Sequence, residues 1–269
     1  MSPIVGAPPI KPKATFFIIF VIIVAAVTAV GCLCVKRQRF LEYKNSKTPL
    51  PAGFTYTAHT GCMDTDDNSL ESIEKGAEYG ADIVEFDLNF TADNTPVLCH
   101  DEPKGGEVTL EEAFKKLAEY GTLRANVDVK NTANLSAVQE LSEKYGLSDR
   151  IFYTGIELED VETVKKDSPK IRYFLNVSVD KSQNTNVDYI ASLVKTVSEC
   201  GAVGINFNKD NATKEIVNAF HRANLLVSVW TADSEYDIYR LLSLAPDNIT
   251  TRQPDKTEEI LENRKNTER

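Results

Sequence analysis

Cysteine, histidine, methionine and tryptophan are all scarce in this chain of 269 residues, at five, three, two and one. Cys32 and Cys34 fall within or beside one long apolar run. That leaves Cys62, Cys99 and Cys200, an odd number with no Cys-x-x-Cys spacing, so no disulfide framework organises the fold and a hydrophobic core must hold it together. Basic charge is also thin beyond the N-terminal segment. Through Lys47 there are seven basic residues and one acid, which leaves 23 basic against 39 acidic side chains beyond it, a net −16. A surface of that sign repels nucleic acid, and a nucleic-acid partner is excluded on that ground. No glycine-rich dinucleotide fingerprint follows the first strand-like run, and Gly105-Gly106 opens no Gly-Lys-Ser/Thr phosphate loop.

What the sequence does contain is one uncharged stretch of 22 residues, Ala14 to Val35. As a helix it would span about 33 Å, enough to cross a bilayer core. Its length argues for an uncleaved single-pass anchor rather than a cleaved signal peptide, and "AVGC" before Cys32 is a weak lipid-attachment pattern. Lys11 and Lys13 precede it, whereas Lys36, Arg37, Arg39, Lys44 and Lys47 follow. The positive-inside tendency therefore leans toward a cytoplasmic C-terminal domain, with the basic cluster placed to meet anionic headgroups.

The rest of the chain alternates β-rich runs with amphipathic helical ones: TYTAH, ADIVEFDL, RANVDVK, RIFYTG, IRYFLNV, AVGINF, LLVSVWT and NITT, separated by stretches such as TLEEAFKKLAEYG. Eight such units in roughly 210 residues predict an α/β fold, a (β/α)8 TIM barrel rather than an open doubly wound sheet. "TADNTPVL" adds a turn and short strand to the second unit. The expected layout is an N-terminal tail (residues 1–13), a transmembrane helix (14–35), a basic juxtamembrane linker (36–53), the barrel (54–262) and a charged C-terminal tail (263–269).

In such barrels, active residues sit at the C-terminal ends of the strands. His59 ends the first strand, Glu85 and Asp87 share one face of the second, His100 and Asp101 follow the short hairpin, and Asp128 and Lys130 share one face of the third run. Burying so many charges is costly unless a cation or a phosphate compensates. Carboxylates without thiols point to a hard divalent ion, Mg²⁺ or Ca²⁺. A structural ion pair of Glu85 and Asp87 with Lys130 is the competing reading. His221, on a helix, reads as a surface residue.

The ordered pieces "AHTG", "NSLES", "GADIVEFD", "TADNTPVLCHD", "VDVK", "VSVWTAD" and "ITTRQPD" resemble the glycerophosphodiester phosphodiesterase family over about Thr55 to Pro254. The resemblance implies a PLC-like phosphodiesterase barrel that cleaves glycerophosphodiesters, in glycerophospholipid metabolism, to sn-glycerol 3-phosphate and an alcohol. His59 and His100 match the acid-base pair, Glu85, Asp87 and Asp128 the metal ligands, and Lys130 a basic residue near the phosphate; Trp230 would wall the pocket. Four features depart from the pattern. Thr60 stands where the family has Arg, with Lys104 or Lys130 as substitutes for the charge. Asp67 and Asp128 replace Glu, and the insertion after His100-Asp101 is cut to "EPKGGEV". These departures keep two alternatives open: a catalytically impaired barrel that binds a phosphodiester or headgroup, and a related phosphodiesterase acting on intact phospholipid. Oligomeric state is not written in the sequence.

Overall fold

A computed structural model describes residues 12–267 of the chain, which divides into two compact units at Ser46 and Lys47. The first contains one helix, α1 (Pro12–Lys44), with the side chains from Phe20 to Cys34 exposed. By length and composition, Phe20–Lys44 is a candidate membrane span. The helix continues through the first half of the segment expected to be a linker, to Lys44, because "KRQRFLEYK" contains good helix formers and no Gly or Pro.

In the second unit the predicted strands all form, in the order β1 (Thr55–Ala58), β2 (Ile83–Phe90), β3 (Pro96–Leu98), β4 (Arg124–Val129), β5 (Ile151–Ile156), β6 (Arg172–Asn176), β7 (Gly204–Asn208), β8 (Leu226–Trp230) and β9 (Asn248–Thr251). Eight of them are parallel and close on themselves: β1 pairs with β9 on one side and with the first half of β2 on the other. The second half of β2 pairs antiparallel with β3, the short strand read from "TPVL". Helices follow each unit: α2 (Leu70–Glu78), α3 (Leu110–Ala118), α4 (Leu135–Lys144), α5 (Val161–Asp167), α6 (Val187–Cys200), α7 (Lys214–Arg222), α8 (Glu235–Leu244) and α9 (Pro254–Thr267). Most begin where the sequence supplies an oxygen for an unpaired N–H. Ser69, Asn134, Asn186, Thr213 and Ser234 cap their helices through the side chain, and Thr109 forms a reciprocal box with Glu112.

Residues 263–267, expected to be a charged tail, instead complete α9. Ile260 and Leu261 are buried, and that apolar anchor carries the helix beyond them; residues 268 and 269 lie outside the described chain. Along the strands, alternation sorts the side chains. Val84, Phe86 and Leu88 of β2, Ala125, Val127 and Val129 of β4, and Val227 and Val229 of β8 form the apolar, helix-facing core. The intervening positions are polar and fill the barrel: Thr57, Glu85, Asp87, Asn126, Thr154, Asn206, Ser228 and Asn248 are all buried. Asn248, the first residue of β9, satisfies the N-terminal end of this interior, donating to Thr57 Oγ1 (2.9 Å) and accepting from Ser228 (3.3 Å).

Candidate active site

A cavity of about 700 Å³ opens at the C-terminal ends of the strands, where the helix-connecting loops meet. β2 delivers Glu85 and Asp87, and β4 delivers Asp128 in register with Asp87. One oxygen from each of the three carboxylates lies within 4.8 Å of the others. Shortening to Asp at position 128 therefore does not take that carboxylate out of the cluster.

Each acid is fixed by a neighbour. Glu85 Oε2 accepts from the Thr60 amide (2.8 Å). Asn68 clamps Asp87 twice, donating from Nδ2 to Oδ2 (2.9 Å) and accepting from the Asp87 amide (2.8 Å). Thr154, opposite Asp128 on β5, donates to Asp128 Oδ1 (2.6 Å). Lys130 Nζ bonds Asp87 Oδ1 at 2.9 Å and also bonds Asp128. Beside them Gly155 has φ +75°, and a Cβ there would lie 2.2 Å from the Val129 carbonyl oxygen, so no other residue fits.

The electrostatics show that the cluster lacks positive charge. Burial, then the adjacent Asp87 and Asp128 charges, push the Glu85 carboxyl well above its usual range. Burial penalises the Lys130 ammonium, yet Asp128 and Asp87 outweigh that and hold its pKa above the ordinary lysine value. With all three carboxyls ionised against one ammonium, the cluster would carry two negative charges, the charge and donor type that suit a hard divalent cation.

His59 directly follows β1 beside this group, its Nδ1 2.9 Å from the Thr60 carbonyl oxygen and 3.6 Å from Glu85 Oε2. A carbonyl can only accept, so Nδ1 carries the proton and Nε2 is the basic nitrogen. Burial lowers the His59 pKa, which favours the neutral ring. His100 lies on the cavity rim, 69% exposed, with Nδ1 3.0 Å from Asp101 Oδ1. That bond holds the Asp101 carboxyl below its ordinary range. Trp230, at the end of β8, also lines the cavity.

The structure thus gathers Glu85, Asp87, Asp128, Lys130, His59, His100 and Trp230 around one cavity, while Lys104 is not among its lining residues. His221 is elsewhere, bonded to Asp247 at 2.8 Å. The cysteines are all free thiols. Sequence reading passed over Asn68, Asn126, Thr154 and Arg252, which also belong to the site or its support. Strand alternation was a usable signal for Asn126, two residues before Asp128.

The model of the glycerophosphoryl diester phosphodiesterase family matches residues 52–109 and 102–256. The chain belongs to this family. A glycerophosphodiester phosphodiesterase of Bacillus altitudinis is 24% identical over 237 residues, which cover 74% of this chain and 94% of that relative. Among solved structures, a glycerophosphodiester phosphodiesterase of Parabacteroides distasonis aligns with a TM-score of 0.65 at 20% identity, covering 79% of this chain and 98% of its own. An Oleispira antarctica phosphodiesterase, solved with its product sn-glycerol-3-phosphate, aligns with a TM-score of 0.64 at 18% identity, over 79% and 97%. These likenesses establish the barrel of the glycerophosphoryl diester phosphodiesterase family, closed and covered by helices as described above.

Proposed function

We propose that the chain is a membrane-anchored, metal-dependent phosphodiesterase that hydrolyses glycerophosphodiesters to sn-glycerol 3-phosphate and an alcohol. The observation that carries this reading is the convergence of Glu85, Asp87 and Asp128 oxygens within 4.8 Å, beside a neutral imidazole and inside the cavity. Glu85, Asp87 and Asp128 would hold a divalent cation, Mg²⁺ or Ca²⁺, which would supply neutralisation of a nonbridging phosphate oxygen and acidification of the attacking hydroxyl.

His59 Nε2 takes the proton of the attacking hydroxyl, water's or the glycerol moiety's own, as a bond forms from that oxygen to phosphorus. The bond from phosphorus to the alcohol oxygen breaks, and His100, steadied by Asp101, returns a proton to the leaving oxygen. Where the glycerol hydroxyl attacks, water opens the resulting cyclic phosphate with the two roles reversed. Lys130, pinned by Asp87 and Asp128, keeps those carboxylates oriented and places positive charge near the phosphate. Trp230 walls the cavity against the substrate.

The apolar part of α1 is the anchor, single-pass, and the basic residues after it favour a cytoplasmic barrel. Residues 54–262 supply the catalytic domain, carried on residues 36–53.

The full chain in detergent, assayed on glycerophosphocholine and glycerophosphoethanolamine with and without Mg²⁺ or Ca²⁺, tests the reading. Turnover that requires the ion and yields sn-glycerol 3-phosphate is expected. No turnover with retained binding of glycerol 3-phosphate would favour an impaired binding barrel, and turnover only of intact phospholipid in vesicles would move the substrate class. Protease protection in sealed vesicles reports the side on which the barrel lies.

A further inference from the structure

A phosphodiester brings an anion into a cavity whose charged side chains are mostly acidic, so beside any bound divalent ion a side-chain cation with uncommitted donors has to receive it. Lys130 does not meet that need, since its ammonium is already bonded to two carboxylates. The two imidazoles are occupied with proton transfer. Nor can the residue after His59 contribute: Thr60 is 2% exposed, its amide bonds Glu85, and its Oγ1 accepts from the Asn68 amide at 2.5 Å.

Arg252 is different. It lies one step beyond β9, and β9 pairs with β1 so that Thr251 faces Ala58 and the His59 amide donates to the Thr251 carbonyl at 2.8 Å. Arg252 is therefore the lateral neighbour of His59, about 5 Å away across the sheet. Its backbone is fixed from both directions, the amide donating to Asp233 Oδ1 (2.8 Å) and the carbonyl accepting from the Met63 amide (3.1 Å). Its side chain lines the cavity, 40% exposed. Among the described residues the guanidinium makes one long hydrogen bond, to Asp233 Oδ2 at 3.5 Å, and approaches Asp67 Oδ1 at 3.9 Å. Most of its five N–H donors are uncommitted, and such exposed, stretched ion pairs hold a side chain in place only weakly.

We infer that Arg252 is the phosphate-clamping residue of this chain: its guanidinium leaves Asp233 and Asp67 and takes two nonbridging oxygens of the phosphate presented to His59. A planar fork delivered from the neighbouring strand can address the same phosphate as the imidazole. The inference rests on the phosphodiesterase reading for its substrate, but not for the anion it recognises.

Two measurements on the full chain in detergent separate these ideas: steady-state kinetics on glycerophosphocholine, and affinity for glycerol 3-phosphate by calorimetry. In Arg252→Ala, KM is expected to rise about 10- to 100-fold with kcat little changed, and glycerol 3-phosphate binding to weaken by a similar factor. Arg252→Lys should fall between, keeping the charge without the fork. Unchanged KM and product affinity in Arg252→Ala overturn the inference while leaving the enzyme reading intact, and so does a drop in kcat and thermal midpoint alone, the mark of a structural role. If the parent protein turns over no glycerophosphodiester, the enzyme reading fails by itself. Weaker glycerol 3-phosphate binding in Arg252→Ala then still sustains the clamp, and a parent that binds none overturns both. Should Arg252→Ala misfold by circular dichroism, Arg252→Lys and Arg252→Gln decide on the same two readouts.

Discussion

At the level of single residues, the site is a set of acids that would repel one another if their neighbours did not hold them. Asn68 illustrates this, since both ends of its amide engage Asp87. Loss of such an orienting partner usually lowers metal affinity about 10- to 100-fold. Asn68→Ala is accordingly expected to require that much more Mg²⁺ for half-maximal activity, in a metal titration, with kcat at saturating metal largely kept. His59→Ala should behave differently, cutting kcat by about 10²- to 10⁴-fold at any metal concentration. Glu85, Asp87, Asp128 and Lys130 were legible in the sequence because strand alternation is local: E-x-D and D-x-K put each pair on one face regardless of the rest of the fold. Arg252 and Asn68 were not. The first acquires its place beside His59 only when the last strand docks on the first, and the second reaches Asp87 from a loop, through a residue with φ +59° that no periodicity announces.

Secondary-structure elements were easier to foresee than their ends. The runs that formed strands are β-branched and aromatic, and the helices between them carry visible caps, so type and order followed directly. Boundaries depended on what the flanking residues bury or bond. α1 outruns its apolar run because the basic residues that follow are good helix formers, and α9 outruns its expected limit once Ile260 and Leu261 are seated. Neighbouring helices are also tied electrostatically. Glu111 of α3 accepts from Lys144 (2.7 Å) at the end of α4 and from Tyr145 (2.6 Å) just after it. These bonds, that from Lys144 first, draw the Glu111 carboxyl from 4.5 down to about 2. A folded-state pKa below the unfolded one contributes stability above the unfolded value, and that contribution fades as pH falls from about 4.5 toward 2. Side-chain NMR should show Glu111 titrating at about 2, moving up in Lys144→Met. A cap gives a simpler effect: Thr109→Ala removes the box at the start of α3 and should cost about 1 kcal/mol in urea denaturation.

On the scale of the whole molecule, the acidic cluster and the closed sheet are one problem, because the fold carries like charges into its interior. A ligand that binds only the folded chain stabilises it by mass action, about 2.7 kcal/mol at a hundred times its dissociation constant. Removal of divalent ions with EDTA should lower the thermal midpoint, and Mg²⁺ or Ca²⁺ should restore it; a Glu85→Gln, Asp87→Asn variant should show little response to either. Closure has a temporal side as well. Thr55 and Asn248 bond to each other from 193 positions apart, so during synthesis the first strand leaves the ribosome long before its last partner exists. Such distant pairing is slow to nucleate. Until Thr251 emerges the nascent barrel has an open edge at β1, a site for chaperone capture, and a stalled chain ending before β9 should be protease-sensitive throughout this unit rather than folded in part.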